Sequence, residues 1–208
     1  MTLDIQNAIY GISVDLDTSF REMEIFLLET EKFFEERKTK VKYENEYYED
    51  LNEPYLFYHW FPEIQRRSFI ILLAIIIESE IRSYCSILYK YGIVSIKYSD
   101  LQGSIIEKFI IYSNKLAGIS FDFPSDTLQN IKSIIELRNC LVHSSGYLKE
   151  FNKPTIITDF ANRFDGINIK DYQIHLSKQF CKNALRLVSD FFNEIFRSSY
   201  EKYNPSNE

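Results

Sequence analysis

Residues 128–146 read LQNIKSIIELRNCLVHSSG, and their spacing decides the fold class. Wound at about 100° per residue, Leu128, Ile131, Ile134, Ile135, Leu137, Leu141 and Val142 fall on one broad apolar arc. Residues 125–143 are therefore expected to form an amphipathic helix. Ser125 or Asp126 is its N-cap, and Gly146 lies beyond its end. One residue breaks the pattern, because Arg138 falls near the middle of the arc. A guanidinium cannot shed its charge, so on a buried face it must find a carboxylate, a phosphate or a polar cleft. Asn139 and His143, four residues apart, share a stripe along the edge of the same arc.

The rest of the chain repeats the helical period. Residues 16–50 read as a long acidic first helix, with Phe20, Met23, Leu27, Thr30 and Phe34 in step. Pro54 and Pro62 punctuate the turn that follows. A second helix is expected from about Pro62 to Tyr91, with Gly92 as its stop. Its centre, FIILLAIII over 69–77, is apolar on every face. Such a helix is expected to be buried all round, at the centre of a bundle or in a subunit interface. A third helix is placed at 99–116, ending at Gly118. Residues 154–176 lack a helical period, and Asp165-Gly166 followed by Ile167, Ile169, Tyr172, Ile174 and Leu176 reads as a hairpin or ordered loop. The last helix is placed at 177–202 with Ser177 as its cap. Residues 204–208 are expected to be disordered. The expectation is one all-α domain over 1–208, a bundle of about five main helices with a small hairpin insertion before the last.

Composition narrows the class. Gly (6) and Pro (5) are scarce among 208 residues, which favours long helices over turn-rich β structure. Seventeen Phe and fifteen Tyr call for a thick core or an additional interface. The net charge of −6 argues against a surface coated with nucleic acid. Thirteen acidic and six basic residues fall between 15 and 53, a local balance of −7, so the rest of the chain stands near +1. A local cationic site therefore remains compatible with the global sign. No signal peptide is read at the N-terminus. The longest apolar run, nine residues from Phe69 to Ile77, is far short of the roughly 20 that span a bilayer. A cytoplasmic protein without membrane attachment is the simplest expectation. Cys85, Cys140 and Cys181 have no metal-ligand spacing. His59, His143 and His175 are far apart, and no Gly-rich phosphate loop or Gly-flanked Ser nucleophile is present. No cofactor or metal is expected.

The run Arg138-Asn139, then His143 at a helix end, resembles the catalytic motif of the HEPN superfamily, all-helical proteins common in prokaryotic defence and toxin–antitoxin systems. The resemblance covers the motif, the helix that bears it and the all-helical layout. It implies a metal-independent endoribonuclease, with RNA as substrate. A base takes the 2′-OH proton, the oxygen attacks the adjacent phosphate in line, and a 2′,3′-cyclic phosphate and a 5′-OH end result. His143 would be base or acid, Arg138 would grip the phosphate, and Asn139 would orient the phosphate or the imidazole. The resemblance also implies a homodimer whose two motifs face a shared cleft, and an antitoxin or defence-system partner. Some members carry a Tyr two residues after the motif His, which the antitoxin modifies. Here that position is Ser145, which puts such regulation in doubt.

Glu78, at the end of the apolar run, is the candidate supporting carboxylate, paired with Arg138 across helices or with Arg82 at i+4. The alternative reading of the motif is a structural Arg–carboxylate pair and a histidine that answers the negative end of the helix dipole. His59 and His175 read as structural, and Tyr147 as packing at the helix end. Arg66 and Arg67, with Lys38, Lys40 and Lys42, read as solvated charge, a weak RNA-steering patch being the alternative. Beside the ribonuclease stand two other readings. One is a non-catalytic HEPN-like module that binds RNA or a protein. The other is a helical adaptor that docks through its acidic first helix.

Overall fold

The computed structural model describes the backbone of residues 2–44 and 56–203, with side chains from 3–40 and 56–203. The chain is all-α, as its periodicity predicts. Among the described residues are α1 (Thr2–Glu44), α2 (Phe61–Lys90), α3 (Ile105–Ile110), α4 (Thr127–His143), α5 (Pro154–Arg163) and α6 (Lys178–Lys202). The only sheet among them is an antiparallel hairpin, β1 (Ile167–Lys170) and β2 (Gln173–Leu176), registered Ile167 to Leu176 and Lys170 to Gln173. No described helix is long and apolar enough to cross a membrane.

Several boundaries depart from the sequence expectation. The first helix begins at Thr2 rather than residue 16. Ile5, Ile9, Leu16 and Phe20 carry one buried stripe through its first half. Gly11 interrupts that stripe only on the exposed side, where a glycine costs a helix up to about 1 kcal/mol and does not end it. The expected stretch 45–50 lies outside the described residues, as does the tail 204–208. The expected third helix is broken. Gly103 takes φ +116°, and Ser104 and Glu107 form a reciprocal capping box that starts α3 afresh. A π-helical turn, Ile111–Leu116, completes it. Residues 154–163, read as non-helical, form α5. Pro154 sits in its first turn and Ile157 and Phe160 are buried, a signal that its ten-residue length concealed. The hairpin and the Ser177 cap are as expected, the Ser177 hydroxyl accepting from the Phe180 amide at 3.0 Å.

Contacts cluster into two compact units, residues 1–20, 74–132 and 186–208 in the first, and 21–73 and 133–185 in the second. The first unit is held by aromatic packing. Phe109 stacks on Phe121 at 5.5 Å and meets Tyr84 and Phe191 edge-on. Phe191 stacks on Phe123 at 5.1 Å. The buried Tyr84 hydroxyl shares a 2.6 Å hydrogen bond with Ser199, so its polar end is satisfied. In the second unit Phe160, Phe164 and Phe180 pack edge-to-face or tilted between α5 and α6. Ile174 and Leu176 of β2 are buried. The long apolar run of α2 is not buried all round. Phe69, Ile70, Leu73, Ala74 and Ile77 are covered, but Leu72 is 46% exposed and Ile75 51% exposed, with Ile64 continuing their stripe.

Two glycines make opposite predictions. Gly166 (φ +94°) carries the turn into β1, and a Cβ there would collide with the Ser177 hydroxyl and meet the Phe180 backbone at 3.0 Å. Gly11 has helical backbone and nothing within 4 Å. Gly166→Ala is expected to cost about 2–3 kcal/mol, from left-handed strain plus the clash. Gly11→Ala is expected to add about 0.5–1 kcal/mol. Urea unfolding of both variants checks the pair.

Candidate functional site

The motif helix α4 keeps its apolar face but turns it from the position the sequence suggests. Ile131, Ile134, Leu137, Cys140 and Leu141 are buried, and so are Ser133 and Ser144. Val142 is 50% exposed, and Ile135 is half-covered. The small residues Ser133 and Cys140 are buried more completely than the β-branched Val142, which moves the centre of the arc away from Arg138. Arg138 therefore stands at the rim of the buried face, half-buried, rather than in its middle. His143, in the last turn, is exposed. Asn139 is half-buried and donates to Glu136 Oε2 at 3.3 Å, while the other oxygen of Glu136 takes the Lys153 ammonium. Glu136 is thus a carboxylate beside Asn139, and the sequence reading missed it. Its only signal was a position three residues before Asn139. Glu78 is half-buried in α2, within the first unit, and lies 3.6 Å from its i+4 neighbour Arg82.

The helix ends where expected, and by a closed set of backbone bonds. The amides of Ser144 and Gly146 both reach the Cys140 carbonyl, at 3.0 and 3.1 Å. Ser145 and Gly146 take φ of +51° and +77°. Those left-handed residues satisfy a carbonyl that the helix end would otherwise orphan. The turn is then fastened from outside. The Ser145 carbonyl accepts from Arg67 Nη1 at 3.0 Å and from Gln173 Nε2 at 2.9 Å, and the Ile174 amide donates to the Gly146 carbonyl at 3.0 Å. Tyr147 packs at the helix end, its ring edge-on to Tyr172.

Arg66 and Arg67 are not solvated charge. Arg67 is held by Glu63 at 2.8 Å and donates to the Ile174 carbonyl at 2.7 Å as well as to Ser145. Glu63 also stands 3.6 Å from His175 Nδ1, a structural role for that histidine. Arg66 forms a fork on Glu31, Nε to Oε1 at 2.6 Å and Nη2 to Oε2 at 2.8 Å, and reaches the Leu176 carbonyl at 3.3 Å. Glu31 is only 2% exposed. Burial opposes the Arg66 charge, but the hydrogen bonds and field of Glu31 more than offset it and hold the guanidinium above its ordinary range. Of the lysines grouped with these arginines, Lys38 pairs with Glu35 at 2.7 Å and Lys40 is exposed. The Lys42 side chain lies outside the described residues.

The three cysteines are buried and free. Burial pushes the Cys140 thiol up to about 11 and the Cys181 thiol up to about 12, so neither supplies a thiolate near neutrality. Among the described residues no group of three or more His, Cys, Asp and Glu side chains is placed to hold a metal ion. Comparison with protein-family models, with curated proteins and with solved structures finds no match to the chain.

The arginine network makes its own prediction. Arg66→Ala leaves a buried carboxylate without its cation and is expected to cost about 3–5 kcal/mol. Arg66→Ala with Glu31→Gln should recover part of that loss. Lys132→Ala, at an exposed pair with Glu107 spanning 3.9 Å, should change stability by less than about 0.5 kcal/mol. Thermal and urea melts of the three proteins compare these outcomes.

Proposed function

We propose that the chain is a HEPN-like, metal-independent endoribonuclease that acts in prokaryotic defence or a toxin–antitoxin system. The observation that carries this reading is the state of the motif helix. His143 stands exposed in its last turn, and Arg138 lies half-buried at the rim of the same helix five residues earlier. An exposed imidazole can exchange protons with a bound strand. A guanidinium partly withdrawn from water offers stronger, pre-oriented hydrogen bonds to a phosphate than a fully solvated one. The turn behind His143 is fastened by Arg67 and Gln173, which gives the imidazole a rigid base to work from.

In this mechanism His143 acts as base on the 2′-OH or as acid on the leaving 5′-oxygen. Arg138 bears on the phosphate as charge develops, and cleavage leaves cyclic phosphate and 5′-OH ends. The second reading is a non-catalytic HEPN-like module, and it is favoured by the engagement of Asn139 with Glu136, a structural use of a motif residue.

The test is incubation of purified protein with total RNA and tRNA in excess EDTA, followed by end-group analysis. The expected result is cleavage with cyclic phosphate ends, lowered about 10²–10⁴-fold by His143→Ala. RNA cleavage by the Arg138→Ala and His143→Ala proteins at the rate of the unaltered protein would sink the proposal. RNA binding by the unaltered protein without any turnover would favour the module.

A homodimer belongs to the same proposal. Its support is the exposed stripe Ile64, Leu72 and Ile75 on α2 and the half-exposed Val142 beside the motif, apolar surface that a lone chain leaves wet. Leu72→Arg with Ile75→Arg is expected to convert dimer to monomer in light scattering behind size exclusion, with an unchanged circular dichroism spectrum.

A further inference from the structure

A second concave site lies within the first unit and contains none of the motif residues. One wall is a face of α2 on which Arg82, Cys85, Ser86 and Tyr89 recur at helical spacing, and the other is Lys97, Tyr98 and Ser99, which enter a short 3₁₀ turn at Tyr98–Asp100. The cleft between them has a volume of about 340 Å³. Small-ligand sites run from about 300 to 1,000 Å³, so it takes a single nucleotide unit.

The second wall is braced from behind. The Tyr98 hydroxyl donates to the Ile105 carbonyl at 2.8 Å and the Tyr112 hydroxyl to the Ile96 carbonyl at 2.8 Å. The Tyr98 ring stands edge-on to Tyr112 at 5.8 Å and carries the Lys108 ammonium 4.6 Å from its centre.

The charge of the cleft is opposite to that of the chain. The protein is net −6, yet the cleft is lined by two cations and no carboxylate. Arg82 is 63% exposed, and its ion pair with Glu78 spans 3.6 Å, beyond a direct hydrogen bond. Asp100 lies next along the turn and takes the Ser99 hydroxyl at 3.2 Å. Lys108 adds a third cation at the Tyr98 ring. Burial pushes the Cys85 thiol upward, so the floor stays neutral. The other ingredients are two exposed hydroxyls, Ser86 and Ser99, and the 40% exposed ring of Tyr89.

We propose that this cleft binds a phosphorylated nucleotide, with the phosphate between Arg82 and Lys97, the Ser86 hydroxyl as a further donor, and the base against Tyr89. Two cations a few residues from a hydroxyl donor suit a phosphate monoester, and an accessible tyrosine ring suits any base face. The same chemistry is offered by a free mononucleotide and by the 5′-phosphorylated end of an RNA strand. The proposal goes beyond the ribonuclease reading and does not depend on it.

The test uses the full chain with His143→Ala, so that RNA probes persist, and measures binding by calorimetry and fluorescence anisotropy. AMP is expected to bind saturably, with adenosine and inorganic phosphate each at least tenfold weaker. Arg82→Glu and Lys97→Glu should each weaken AMP tenfold or more, and Tyr89→Ala about 5–50-fold. A hexaribonucleotide with a 5′-phosphate that outcompetes its 5′-hydroxyl form tenfold identifies the strand end as ligand; AMP binding without that preference identifies the free nucleotide. The proposal is overturned if neither AMP nor the phosphorylated hexamer binds at millimolar concentration. It is equally overturned if AMP binding is unchanged in Lys97→Ala, an exposed-loop substitution that leaves the fold intact.

Discussion

The rest of the second unit depends on one buried ion pair, Arg66 on Glu31. A carboxylate withdrawn from water costs several kcal/mol unless a cation meets it with full hydrogen bonding. Arg66 supplies both bonds of a fork and spends its remaining nitrogen on the Leu176 carbonyl. The pair thereby fixes the register of α1 against α2 and ties the end of β2 to both. Hydrophobic burial alone tolerates small sliding of helices, whereas a forked pair permits one alignment.

Arg67 extends that constraint to the motif. Neighbouring arginines on α2 take carbonyls two residues apart on β2, Ile174 for Arg67 and Leu176 for Arg66. Alternate carbonyls of a strand point the same way, so the two guanidiniums grip one edge of the hairpin. Through Ser145 the same grip holds the turn that ends α4. The exposed His143 is therefore followed by a turn that is held through backbone oxygens.

What the sequence shows and hides follows from the range of the interactions. The helices of 61–90, 127–143 and 178–202 were legible because each repeats an apolar period over many turns, and Ser177 and Gly146 announce their ends through local backbone geometry. The break before α3 was carried by Gly103-Ser104 with Glu107, three letters easily read as helix interior. Arg138 and His143 were legible as a pattern, but the depth of Arg138 was not. It turned on whether Val142 or Cys140 faces inward, which periodicity cannot rank. The roles of Arg66 and Arg67 were hidden most deeply. Apart from Glu63, four residues before Arg67, their partners are a glutamate 35 residues away and backbone carbonyls 78 to 110 residues away, and a carbonyl has no letter in the sequence.

The buried thiols have a practical consequence. Cys85 lies in the first unit and Cys140 and Cys181 in the second, all of them inert while the native packing holds. A thiol reagent therefore reads the frequency with which each region opens rather than the accessibility of its surface. The chain carries three native clocks of local unfolding, one on the α2 face beneath the nucleotide cleft, one on the motif helix and one at the start of α6. They need no introduced label.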